Sequence, residues 1–84
     1  MVAEIVLSFE PFQGKYIKSL PLHETQQILI DNNDELRIQL KLCLTHDLKM
    51  ELLSHGDSAK VIKPKGLINE LKKSYQNALN QYEK

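Results

Sequence analysis

Eighty-four residues, 42% hydrophobic and 26% charged with three glycines and three prolines, have the composition of one ordinary folded domain. They exclude a disordered or fibrous chain and leave no room for two separate cores. Eleven basic residues balance eleven acidic ones, so the domain as a whole lacks the positive field that supplies most non-specific attraction to nucleic acid.

The first periodic segment is "EIVLSFE", where Ile5, Leu7 and Phe9 alternate with Glu4, Val6 and Ser8. Period two predicts a strand with one apolar face. Pro11 ends it, and "FQGKYIKSL" places Phe12, Tyr16, Ile17 and Leu20 at helical spacing, which predicts a short helix ending before Pro21. The connector "PLHET" follows.

The run "QQILIDNNDELRIQLKLCLT" reads as a hairpin around Asp31, Asn32, Asn33 and Asp34, all residues that accept turn geometry. On its second arm Leu36, Ile38, Leu40, Leu42 and Leu44 point one way. Arg37, Gln39, Lys41 and Cys43 point the other. Thr45 is a suitable N-cap for the next helix, Asp47 complements the dipole of its first turn, and Gly56 supplies a left-handed stop. A short strand "AKVIK" leads to Pro64. The final helix, from about Leu67 to Lys84, carries Ile68, Leu71, Tyr75, Ala78 and Tyr82 at alternating spacings of three and four, which predicts one buried face that Leu67 and Leu79 widen.

This order predicts an α+β domain over residues 1–84: a ferredoxin-like sandwich, β-α-β-β-α-β, with an additional C-terminal helix. Two helices would cover one sheet face and leave the other for a partner. The single Cys43 excludes an internal disulfide and fits a reducing compartment. No apolar run approaches the roughly 20 residues of a membrane span, so a cytoplasmic location without membrane contact is expected.

The stretch "THDLKMELLSHG", two residues after Cys43, invites a metal or catalytic reading. A structural zinc site needs four convergent nitrogen or sulfur ligands, and Cys43, His46, His55 and distant His23 contain no paired-ligand spacing. His46 and His55 would stand about 13 Å apart along one helix. A nucleophilic Cys43 would need a base, an orienting group and an oxyanion loop, and no such set accompanies it. Gly14, Gly56 and Gly66 stand alone, so no phosphate-cradling loop is present. The expectation is a protein that is not an enzyme, with no metal and no cofactor.

The candidate contacts are therefore binding residues. Arg37, Gln39 and Lys41 occupy the sheet face opposite the leucines, and Lys60 and Lys63 border it on the last strand. His23 lies in a connector, where its ordinary role is to satisfy backbone carbonyls and its alternative is to face a partner. Tyr75 and Tyr82 lie on a final helix of about 27 Å, longer than a small sheet needs, where tyrosines suit an interface.

The pieces "PLHETQ" and "THDLKMELLSHG", with "VIKPKGL" before the last helix, resemble in kind and order the C-terminal extension domain that follows the WYL domain in bacterial transcriptional regulators. The resemblance covers nearly the whole chain. It departs after "LLS", where the family carries a large apolar or aromatic residue and this chain has His55. Such regulators pair a winged helix-turn-helix that binds DNA with a WYL sensor, and neither part occurs in this sequence. The resemblance therefore implies an accessory fragment of a longer regulator, with WYL and helix-turn-helix domains of the same parent as partners. It also implies a homodimer, transmission of an effector signal, and no catalytic residues. The alternative is a free-standing nucleic-acid-binding module using Arg37, Lys41, Lys60 and Lys63.

Overall fold

A computed structural model describes residues 2–83. It is a mixed α/β domain with the order β1 (Val2–Phe9), α1 (Pro11–Ser19), β2 (Gln27–Asp31), β3 (Leu36–Cys43), α2 (His46–Ser54), β4 (Ala59–Lys63) and α3 (Lys65–Tyr82). The strands form one sheet in the order β2-β3-β1-β4, antiparallel at every pairing.

Alternation sets the layers. β1 and β3 pair in register over eight residues, so Ile5 faces Leu40, Leu7 faces Ile38 and Phe9 faces Leu36. These six side chains are at most 2% exposed. Ile17 of α1, Leu48 and Leu52 of α2, and Leu67 and Leu71 of α3 close over the same side, so all three helices lie on one face of the sheet. Burying a side chain of this size contributes about 1.5–3 kcal/mol, which makes the double row the main source of stability.

The helix ends follow the polar residues around them. The Glu10 carboxylate accepts the backbone N–H groups of Phe12 and Gln13, and Pro11 takes the first helical position, where a missing N–H costs nothing. Helix α1 therefore starts at the proline instead of after it. Thr45 Oγ1 accepts the Leu48 N–H at 3.1 Å and caps α2 as expected. Gly56 follows α2 at φ +57°, the left-handed value that glycine adopts without strain, and opens a single 3-10 turn over Gly56–Ser58 that the sequence pattern did not predict. Helix α3 begins two residues before its expected start, and its expected end at Lys84 lies outside the described residues.

Helix α3 corrects an expectation: of the stripe predicted as one buried face, only Leu71 and the flanking Leu67 are buried, while Tyr75, Leu79 and Tyr82 are exposed because they lie beyond the sheet. On α1 only Ile17 of the four apolar residues at helical spacing is buried, while Phe12, Tyr16 and Leu20 are 64%, 55% and 75% exposed. The helix docks through Gly14, where a Cβ would stand 2.9 Å from Leu36 Cβ. With positions 14 and 17 against the sheet, positions 12, 16 and 20 turn toward solvent on a 3.6-residue helix. Strand β3 also stops at Cys43, leaving Leu44 exposed, and β2 carries an irregular register between Ile28 and Ile30 that places Ile30 opposite Arg37.

Because Leu36 Cβ cannot move like a side-chain tip, Gly14→Ala overpacks the α1–β3 contact at about 1–3 kcal/mol, more than the roughly 1 kcal/mol of helix propensity it gains. Gly66, with nothing within 4 Å of its added Cβ, is the matched control. Urea unfolding should show G14A less stable by up to about 2 kcal/mol and G66A unchanged or slightly more stable.

Candidate functional site

The face of the sheet away from the helices is held by strand residues alone. Two rungs cross it on β1: Arg37, Ser8 and Lys60 form one, and Gln39, Val6 and Lys63 the next, with Lys41 opposite Glu4 beyond them. The fold thus brings five of the predicted contacts, Arg37, Gln39, Lys41, Lys60 and Lys63, onto one surface. Val6 is the apolar centre, 6% exposed beneath the longer side chains around it.

Carboxylates organise this surface, and sequence reasoning did not single them out. The Glu35 carboxylate accepts two bonds from Arg37, at 3.2 Å from Nε and 3.1 Å from Nη2, and a third from the Ser8 hydroxyl. Lys63 Nζ lies 2.7 Å from a Glu4 oxygen. The Ser8 hydrogen bond, then Arg37, with Lys60 nearby, hold the Glu35 carboxyl below its ordinary value despite partial desolvation. Glu4 is lowered chiefly by the Lys63 hydrogen bond and charge, with a smaller contribution from Lys41. Two of the four expected cations are therefore engaged by internal anions. The signal available in the sequence was position: Glu4 and Ser8 alternate with the core residues of β1 and had to share the outward face.

The other predicted residues lie apart from this surface. Half-buried His23 uses Nδ1 to accept the Thr25 N–H at 3.2 Å, with Thr25 Oγ1 at 2.8 Å, so its bond is to a neighbouring turn residue and not to backbone carbonyls. Thr25 Oγ1 in turn accepts from Lys41 N at 2.9 Å and lies 3.1 Å from Lys41 O, extending the β3 ladder by a side chain. Gln26 spans the connector, accepting from Leu22 N at 2.9 Å and donating to Ile17 O at 3.1 Å. The polar residues of "PLHETQ" thus tie the end of α1 to β3. Tyr75 and Tyr82 belong to α3 on the helical side, where the Tyr75 hydroxyl reaches Gly56 O at 3.4 Å and Tyr82 is 89% exposed.

The opening cluster resolves into separate local roles. Cys43 is exposed at the end of β3, His46 begins α2, and His55 ends α2 edge-on against Phe9 with ring centroids 5.4 Å apart. Gln13 Nε2 approaches His55 Nδ1 at 3.5 Å. Among the described residues no group of three His, Cys, Asp or Glu side chains is placed to hold a metal ion, and no helix is long and apolar enough to cross a membrane.

Two comparisons with known proteins bear on this geometry. A family model described as WCX domain matches residues 2–79. No curated protein matches the chain.

The depressed Glu35 carboxyl has a pH consequence of defined sign. Its folded pKa lies below the unfolded value of about 4.3, so its stabilisation is complete above that pH and is lost as pH falls through the folded value. Thermal midpoints at low salt should show Glu35→Gln less stable than the parent at pH 6, with the gap closing below about pH 4. A gap that stayed constant from pH 6 to pH 3 would show that the charge contributes nothing.

Proposed function

The chain belongs to the WCX family, the C-terminal extension domain of WYL-domain regulators, and from that premise we propose that it is a non-enzymatic accessory module of a transcriptional regulator. In this reading it sits after a winged helix-turn-helix and a WYL domain of the same parent, helps the parent dimerise, and passes an effector signal toward the DNA-binding part. The work is done in the cytoplasm, where such regulators meet DNA. The topology is read as ferredoxin-like with one added helix; the order β2-β3-β1-β4 and the shared helical side support that reading.

One observation carries the proposal: the sheet face without helices is preordered. Ion pairs tether Arg37 and Lys63 above the buried Val6, so a partner meets charges that are already paired. Gln39 and Lys41 remain there as groups that can bond a neighbour. The WYL domain of the parent is the partner assigned to this face. The non-enzymatic reading draws support from the dispersal of Cys43, His46 and His55 to a strand end and the two ends of α2.

The nucleic-acid alternative is the weaker one. The Glu35–Arg37 and Glu4–Lys63 pairs offset half of the cations it needs, and among the described residues no aromatic side chain stands on the sheet face as a base-stacking platform.

The test is made in the parent regulator with Gln39→Glu and Lys41→Glu together, both outward-facing substitutions. The expected outcome is an unchanged fold by circular dichroism, retained operator binding by the helix-turn-helix, and an effector response reduced at least about tenfold, as for loss of interface anchors. A full effector response in the double variant would count against this face as the docking surface. Strong, salt-sensitive binding of single-stranded DNA by the 84-residue chain itself would favour the alternative.

A further inference from the structure

Helix α3 serves the domain's core for only part of its length. Leu67 and Leu71 are its buried residues, and the Tyr75 hydroxyl makes its last hydrogen bond to the body. Every residue from Tyr75 to Glu83 is exposed. The helix nevertheless continues to Tyr82.

That distal segment, "SYQNALNQY", contains no charged residue in nine positions, in a chain that is 26% charged. Solvated helix faces are ordinarily rich in Lys and Glu, whereas the centres of protein interfaces are depleted of charge and enriched in tyrosine. Serine and asparagine are poor helix formers, and two and a half unsupported turns are marginal in water, so the segment needs a neighbour to persist as helix. The spacing of Ile68, Leu71, Tyr75, Ala78 and Tyr82 keeps a three-four rhythm, the seam of a helix pair, with Leu79 (49% exposed) beside it.

We propose that residues Ser74–Tyr82 of α3 pair antiparallel with the same segment of a second copy of this chain, about a two-fold axis near Ala78. Charge and dipole select both occupant and direction. The last turn of α3 carries no basic residue to complement its negative end, while Lys72 and Lys73 flank the other end of the segment. An antiparallel copy about Ala78 brings its Lys73 opposite Glu83, a cation against an anion at the negative end of the helix. A parallel copy would set lysines beside lysines. Ala78 at the crossing allows close approach, with Tyr75 of one protomer beside Tyr82 of its partner. The contact is short beside the roughly 800 Å² per partner of stable complexes, so alone it gives a weak, concentration-dependent dimer. This inference rests on the dimerisation reading above and assigns it a surface.

Sedimentation equilibrium of the full chain, up to about millimolar concentration, is the first arm. The parent sequence should dimerise, and Leu79→Glu should raise the dissociation constant at least about tenfold, as for an interface anchor. Its thermal midpoint at low concentration should not change, because Leu79 packs against nothing in the monomer's buried core. Cysteine cross-linking in a Cys43→Ser background is the second arm. Ala78→Cys should form a disulfide dimer, whereas Glu83→Cys should not, since five residues from the axis on each chain separates the pair by about 15 Å. A strictly monomeric chain overturns the proposal and weakens the dimerisation reading with it. A dimer indifferent to Leu79→Glu overturns this surface alone and leaves dimerisation elsewhere. Cross-linking at position 83 as efficient as at position 78 overturns the antiparallel geometry.

Discussion

Everything in this domain hangs on β1 being paired on both edges while one of its faces is sealed. Ile5, Leu7 and Phe9 are essentially without solvent contact, and their partners Leu36, Ile38 and Leu40 are equally buried. Once that double row is fixed, every other residue of the two strands must face the opposite way, because a one-residue slip would move the whole apolar set into water. The polar surface is therefore a consequence of the core. Arg37, Gln39 and Lys41 share a face with Glu4 and Ser8 for the same reason that Ile38 and Leu40 share one with Ile5 and Leu7.

That constraint also decides the electrostatics. Four cations on one sheet face would repel, but the register places Glu4 opposite Lys41 and brings Glu35 up to Arg37 and the Ser8 hydroxyl. The result is a surface of paired charges, suited to a neighbour that offers its own hydrogen-bonding groups and less suited to a phosphate backbone, which rewards unpaired positive charge. The edge strand β4, carrying Lys60 and Lys63, is guarded against pairing with a foreign strand by the same side chains.

Much of this was legible in the sequence because strand period is a local property. The alternation from Leu36 to Cys43, the turn at Asn32, the Thr45 cap and the Gly56 stop each follow from a few adjacent residues. The Glu35–Arg37 pair spans only two residues, but the engagement of Lys63 by Glu4 and the bracing of Glu35 by Ser8 were not legible, since they depend on strand order and register across 59 and 27 positions of chain. The work of "PLHETQ" was hidden likewise: Thr25 reaches β3 and Gln26 reaches the end of α1, contacts that exist only after the hairpin has folded back. His55 illustrates a milder case. Its imidazole fills the corner by standing edge-on to Phe9 while keeping a polar edge toward Gln13, contacts 46 and 42 residues distant in the chain.

Helical periodicity misled in one instructive way, because it identifies an apolar face without saying whose core the face belongs to. In α1 the spacing of Phe12, Tyr16 and Leu20 is as regular as a core stripe, yet the backbone contact at Gly14 turns it outward. In α3 one continuous stripe has two environments: Leu67 and Leu71 close the sheet, and Tyr75, Leu79 and Tyr82 run on past it. A four-stranded sheet has a fixed width, set by strands spaced about 4.8 Å apart, and a helix of 18 residues outruns what it can cover. Apolar helix surface beyond that limit lies out of reach of the domain's own core. An accessory module built this way keeps its fold and its contacts on different residues, so that substitutions on the outer stripe can change assembly while the Ile5–Leu40 layer continues to hold the domain together.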